Sequence, residues 1–291
     1  MMPTAYACRL LVAAMIGSGL CAVAQAQTTK ENKAMDKPQT LPAAPNINMD
    51  YPVIEFRRYT IKNGGREQFA RYFESFFPEA FQQLGAIAFG QFFERGHSNG
   101  FTWMRGFPSM EARAIVNSAF YYGQVWKEHR ATLNNLIEDS DNVYLMRPLN
   151  PARGIAVMPA VDPIHEPQGA QGIMVAQLFA VKANRVDDFA AQAEAVFTRY
   201  RAAGVKEAGV LVTLDVANNF PQLSVRSDGP YLLWLGLVSD QKMLDSTWSP
   251  LALQSLQRLT ETGLLTQTPE QIVMDPAQRS RLRWPILGEQ R

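Results

Sequence analysis

A pattern that returns after 120 residues constrains this chain more than any other feature. Tyr59-Thr60-Ile61-Lys62, followed by Phe69, reappears as Phe179-Ala180-Val181-Lys182, followed by Phe189. Around the first copy, Pro52–Lys62 reads as a strand, Arg66–Leu84 as a helix ended by Gly85, and Ala86–Arg95 and Phe101–Phe107 as two more strands. Ser109 caps a further helix with Ala112, Ile115, Val116, Ala119 and Phe120 on one face. Tyr121-Tyr122-Gly123 interrupts that helix, which resumes over Gln124–Ile137 with Trp126, His129, Leu133, Leu136 and Ile137 in one stripe. Asp139-Ser140-Asp141 reads as its stop, with routine turn-forming acids, and Asn142–Arg147 as a closing strand.

The order β-α-β-β-α-β is the split, ferredoxin-like pattern. The second copy repeats it with helix Val186–Ala203, ended by Gly204, strand Pro230–Leu237, a broken helix over Ser239–Ser246 and Pro250–Gly263, and closing strand Gln271–Met274. One such sheet leaves a face uncovered, and two copies in one chain can cover each other by closing as a barrel. The expected fold class is therefore α+β, with two tandem ferredoxin-like repeats in one closed unit. The first spans residues 51–148 and the second, diverged repeat 172–275, with a Pro-rich linker over 149–171 and a basic tail over 276–291.

Val53–Gly64 (VIEFRRYTIKNG), with Glu55, Arg57, Tyr59, Lys62 and Gly64, is followed by FTWMRGFPSMEAR from Phe101 and FYYGQVWKEHR from Phe120. These segments resemble the NIPSNAP family of dimeric α/β-barrel proteins. The resemblance covers Tyr51–Pro148 well and the second half loosely. It implies an intramolecular dimeric α/β-barrel and no particular reaction, and a homodimer of the intact chain stays open.

Alternation along the first strand sends Ile54 and Phe56 to one side and Glu55, Arg57 and Tyr59 to the other. Glu and Arg on a buried face must pair, either as a structural ion pair or as a set that orients a ligand. Glu55, Arg57 and Tyr59, with Trp103 and Arg105 of the strand Phe101–Phe107, are the candidate pocket wall. The second copy has Val175 and Gln177 in place of Glu55 and Arg57, and its Trp248 and Leu251 align with Trp126 and His129. The first copy is thus the better candidate for a site. Trp126 and His129 share a helix face and are the candidate catalytic pair, although a histidine on an apolar stripe is commonly a core residue.

Sharper motifs are absent: there is no His-Glu-x-x-His, Gly-x-Ser-x-Gly, Walker loop or Gly-x-Gly-x-x-Gly after a strand. The three histidines are too scattered to indicate a zinc site, so no metal site is expected. His97 falls in a hairpin loop and His165 in the linker.

Residues 1–26 read as a signal peptide: Arg9, the apolar run Leu10–Val23, then Ala24-Gln25-Ala26 with cleavage after Ala26. Export to the periplasm or beyond is expected, without a membrane span after processing. Cys8 and Cys21 would both be lost, leaving no disulfide or thiolate. Residues 27–50 read as a flexible leader. Removing Arg9 from the 28 basic residues makes them equal in number to the 27 acidic ones, so nucleic acid is excluded as a partner. Arg279, Arg281 and Arg283 are the only basic cluster, of a kind that is commonly a solvated end.

Three functions are compatible with this reading. The first is a pocket protein for a small apolar or aromatic molecule, with no cofactor. The second is a cofactor-independent monooxygenase acting on a quinol-like aromatic, a class of this fold in which Trp and His hold and deprotonate the substrate. The third is haem binding through a helix histidine.

Overall fold

The computed structural model describes residues 50–285. The expected signal peptide and cleavage site and nearly all of the expected leader lie outside them. The first half comprises β1 (Val53–Ile61), α1 (Arg66–Gln83), β2 (Ile87–Glu94), β3 (Gly100–Phe107), α2 (Met110–Tyr121), α3 (Gln124–Asn134) and β4 (Ile137–Pro148). After a 3-10 turn at Pro151–Arg153 the second half runs β5 (Ile173–Ala180), α4 (Val186–Ala202), β6 (Lys206–Thr213) and β7 (Tyr231–Val238). A short turn α5 (Gln241–Met243), a π-turn (Leu244–Trp248) and α6 (Ser249–Thr260) then lead to β8 (Glu270–Pro276).

The eight strands form one closed barrel in the order β1-β3-β2-β8-β5-β7-β6-β4. Each half contributes four of them in the same arrangement, and neighbouring strands pair antiparallel throughout. The halves join along two seams: Phe92–Glu94 of β2 on Met274–Pro276 of β8, and Met146–Pro148 of β4 on Leu211–Thr213 of β6. Closure leaves no free sheet edge. Ile54, Phe56, Met104 and Met146 meet Met174, Leu211, Leu235 and Met274 inside the barrel. Outside it, α1–α3 cover one half of the sheet and α4–α6 the other, each over its own apolar cluster.

Helix ends follow local chemistry. Gly85 and Gly204 have φ of 93° and 90°, a conformation that glycine adopts without steric cost, just past α1 and α4. Ser109 Oγ accepts the Ala112 N–H as the N-cap of α2.

Several elements differ from expectation. α3 stops at Asn134, and Asp139–Asp141 belong to β4. The acids accommodate a bulge there, where the β1–β4 register shifts between Arg58 and Thr60 and the Asp141 N–H donates to Asp139 Oδ1. The strand that follows α4 in the second repeat, for which the sequence reading gives no bounds, is β6. The inner face of α2 carries Arg113, Val116, Asn117 and Phe120, while Ile115 points to solvent. The three tail arginines are engaged by the fold, although Arg279 is exposed. Arg279 engages Glu74 and Glu79, Arg281 engages Gln82, and Arg283 is fully buried against Glu166 of the linker, so they fasten the tail to α1 and the linker.

Candidate functional site

Register and pleat bring the polar side chains of the first half together beneath its helices. Glu55 pairs across the ladder with Arg105 and Arg57 with Trp103, so all four lie on the face turned toward α1–α3. From above, α2 lowers Arg113, one turn beyond its Ser109 cap, onto the same spot. Glu55 Oε2 accepts from Arg57 Nη1 at 2.8 Å and from Arg105 Nε at 2.7 Å, and Oε1 accepts from Arg113 Nε at 2.7 Å. Glu55, Arg105 and Arg113 are fully buried and Arg57 is 1% exposed.

One carboxylate thus faces three guanidinium groups. Burial alone would raise the Glu55 carboxyl, but Arg105, Arg57 and Arg113 outweigh it and hold the group well below the usual carboxylate range. Arg113 is pushed below its ordinary value by burial, and repulsion from Arg105 and Arg57 adds to that, against the attraction of Glu55. The Arg105 guanidinium is sandwiched among the rings of Phe81, Trp103 and Phe107, 5.1–5.3 Å from their centroids. Its Nη1 and Nη2, and Nη2 of Arg113, find no hydrogen-bond acceptor among the described residues. Arg57 donates Nε to the Tyr59 hydroxyl at 2.9 Å, and burial raises the Tyr59 phenol.

Beside this cluster lies a cavity of about 400 Å³ between the sheet and α1–α3. Phe73, Phe77, Phe81, Trp103, Phe120 and Trp126 form its aromatic walls, Arg57 and Tyr59 its polar corner, and Lys127 and Arg130 of α3 its rim. The loop 214–230, between β6 and β7, reaches over from the second half and adds Phe220, Gln222 and Leu223. Arg113 Nη1 anchors it by donating to Asn218 Oδ1 at 3.0 Å and Asn219 Oδ1 at 2.7 Å.

Of the residues singled out in the sequence, Arg57, Tyr59, Trp103 and Trp126 line the cavity, while Glu55 and Arg105 are buried in the adjoining cluster. His129 is not on the wall. It turns toward α1, where its ring stacks on Phe76 with centroids 3.8 Å apart and Nδ1 meets the Tyr72 hydroxyl at 2.8 Å. Neither His97 nor His165 lines the cavity. The described lining residues therefore offer haem no imidazole or thiolate, and they do not fit a histidine-ligated haem. Arg113 and the loop 214–230 were missed in the sequence. For Arg113 a signal existed, since 113, 116, 117 and 120 follow the i, i+3, i+4, i+7 spacing of a buried helix face.

The corresponding place in the second half is filled. Asp240 Oδ1 accepts the Met243 N–H as Ser109 accepts that of Ala112, so by counting from the caps Leu244 stands for Arg113 and Trp248 for Asn117. This replaces the sequence pairing of Trp248 with Trp126. On the strands, Val175 pairs with Gly236 and Gln177 with Trp234, where the first half has Glu55–Arg105 and Arg57–Trp103. Trp248 lies flat on Trp234, centroids 5.2 Å apart and planes 8° from parallel, occupying the space with carbon.

Two solved structures share the architecture over most of the chain. A proposed monooxygenase from Fusobacterium nucleatum superposes with a TM-score of 0.50 at 12% identity, covering 78% of this chain and 93% of its own. An anthrone oxidase-like protein superposes with a TM-score of 0.50 at 11% identity, covering 81% and 98%. At these identities the likeness concerns the fold alone. A NIPSNAP family protein from Agrobacterium tumefaciens covers 35% of this chain and 98% of its own at 22% identity, with a TM-score of 0.32. No curated protein matches the chain. Residues 54–150 match the NIPSNAP family model, and over those residues the chain is similar to that family.

Proposed function

We propose that this protein binds a small aromatic or apolar molecule in the cavity between α1–α3 and the first-half sheet. The observation that carries this reading is the wall itself: ten aromatic side chains, Tyr59 among them, around about 400 Å³, with Arg57 and Tyr59 converging at one corner. Binding sites for small molecules have this size and this mixture of apolar surface with a few placed polar groups. Trp103 and Trp126 are both in the wall, so a bound aromatic should quench tryptophan fluorescence. The test is titration of the purified protein with 2-naphthol and related naphthalenes. Saturable quenching that disappears in Ser140→Trp, which fills the cavity with an indole, supports the reading. Absence of saturable binding by every naphthalene tried overturns it.

A cofactor-independent monooxygenase acting on a quinol-like aromatic is the second reading, favoured by the cationic corner. There O2 would give one atom to a ring CH2 and release the other as water, the two hydrogens lost from the carbon supplying its protons and electrons. No imidazole lines the cavity, and Glu55, held by three arginines, is a poor base, so the substrate would have to enter already ionised. Oxygen uptake with anthrone or a naphthoquinol, lost in Arg57→Gln, would separate turnover from simple binding.

The setting we propose is outside the cytoplasm, on the strength of Arg9, Leu10–Val23 and Ala24-Gln25-Ala26. An intact mass corresponding to a chain that begins at Gln27 supports export. Retention of Met1, or a lipid on Cys21, overturns it.

A further inference from the structure

We propose that the ligand of this cavity is an aromatic monoanion, bearing a carboxylate or an ionised phenol or enol whose charged oxygen is taken by Arg57. The inference rests on the pocket reading above and adds the chemical class of the ligand. Three observations carry it.

The first is charge. Arg57, Arg105 and Arg113 surround Glu55 alone, a buried excess of positive charge, and the described cavity lining carries Arg57, Lys127 and Arg130 but no carboxylate. Like charges gathered out of water repel, and an arriving anion relieves that repulsion where the low dielectric makes the attraction strong. The second is geometry. Arg57 commits Nε to Tyr59 and Nη1 to Glu55, so Nη2 is its donor without a protein acceptor, on a side chain that is 1% exposed and lines the cavity. A donor at a cavity wall with no protein acceptor is met by water or by a ligand, and an oxyanion meets it with a charge-assisted bond. The third is the internal control. The second half builds the same sheet and helix layer with Val175, Gln177, Gly236 and Leu244 at these places, and Gln177 Oε1 accepts from the Tyr200 hydroxyl. The fold closes without the arginines, so they are not required by the architecture.

The test compares three probes of one shape near neutral pH by calorimetry and tryptophan quenching: 2-naphthoate, 2-naphthamide and 2-naphthylmethylammonium. The expected order is naphthoate tightest by about tenfold over the amide, as one charge-assisted hydrogen bond would give, with the ammonium weakest. Arg57→Gln should remove that preference, bringing acid and amide to within about twofold of each other. The wild-type order decides the matter even if the variant does not fold. Equal binding of acid and amide overturns the anion inference and leaves the pocket reading standing. Binding of none of the three overturns the pocket reading, and this inference with it.

Discussion

Phe220, from the second half of the chain, stacks on Tyr121 of α2 in the first, with ring centroids 5.9 Å apart and planes 29° from parallel. The half that has filled its own cavity with Trp248 thus supplies part of the roof over the other. The roof is anchored by groups that also belong to the charge cluster, since Arg113 holds Glu55 with Nε and Asn218 and Asn219 with Nη1. Asn219 in turn donates to the Met110 carbonyl at the start of α2.

Removing the Phe220 ring should open the cavity without dismantling it. Phe220→Ala loses the contacts with Tyr121 and Tyr122 while the asparagine anchors remain. Truncation of a buried aromatic at a binding wall should cost about 1–2 kcal/mol in affinity, mostly as faster release. Stopped-flow fluorescence with 2-naphthoate should therefore show a raised off-rate against a nearly unchanged on-rate. An unchanged off-rate would mean that the loop does not gate the ligand.

Glu55 should be the residue whose loss the fold tolerates least. Glu55→Gln keeps the shape and leaves three buried guanidinium groups without a counter-charge, a change expected to cost about 3–5 kcal/mol. Its pH dependence has a definite sign. The folded-state pKa of Glu55 is depressed, so its stabilisation is complete above the unfolded value of about 4.3 and shrinks as pH falls below that toward the folded value. Urea unfolding from neutral pH down to acid should show the gap between wild type and Glu55→Gln narrowing only below that value. A gap independent of pH would show that the carboxylate charge is not what stabilises the cluster.

Much of this arrangement is legible in the sequence, for reasons of reach. Strand alternation alone places Glu55, Arg57 and Tyr59 on one face, and the repeated pattern around Tyr59 and Phe179 implies two copies that cover each other. What is not legible depends on a small rotation or on a distant contact. Reading α2 by its aliphatic residues turns Ile115 inward. The helix is in fact rolled so that Arg113 and Asn117 face the sheet, because Glu55 compensates a cation there. His129 shares a stripe with Trp126, yet one faces α1 and the other the cavity, a division that the packing angle of α3 decides. Phe220 lies in an irregular loop whose partner is about a hundred residues away in sequence, and no local pattern marks it.

His129 should behave as a structural residue. Its ring is stacked on Phe76, and Nδ1 is bonded to the Tyr72 hydroxyl, which ties α3 to α1. His129→Ala should lower stability by about 1–2 kcal/mol through the lost hydrogen bond and ring contact, read as a Tm lower by several degrees. Affinity for 2-naphthoate, measured well below that Tm, should stay within about twofold of wild type. Loss of binding in a stably folded His129→Ala protein would return the residue to the site.

The barrel should not survive division at the linker. In the intact chain, Ile54, Phe56, Met104 and Met146 of the first-half sheet pack against Met174, Leu211, Leu235 and Met274 of the second. A fragment spanning Tyr51–Pro148 would present that apolar face to water, along with the unpaired edges of β2 and β4 that normally meet β8 and β6. Its helix layer would still cover the other face, so secondary structure should persist while the fragment self-associates. Two copies could close on each other as the two halves do, and uncontrolled aggregation is the other way to hide the same surface. Either outcome, seen by light scattering and circular dichroism, agrees with mutual dependence of the halves. Adding a separately produced second half spanning residues 172–285 should then shift the fragment into a one-to-one complex. A soluble, cooperatively unfolding monomer of Tyr51–Pro148 would show that the first half needs no partner sheet.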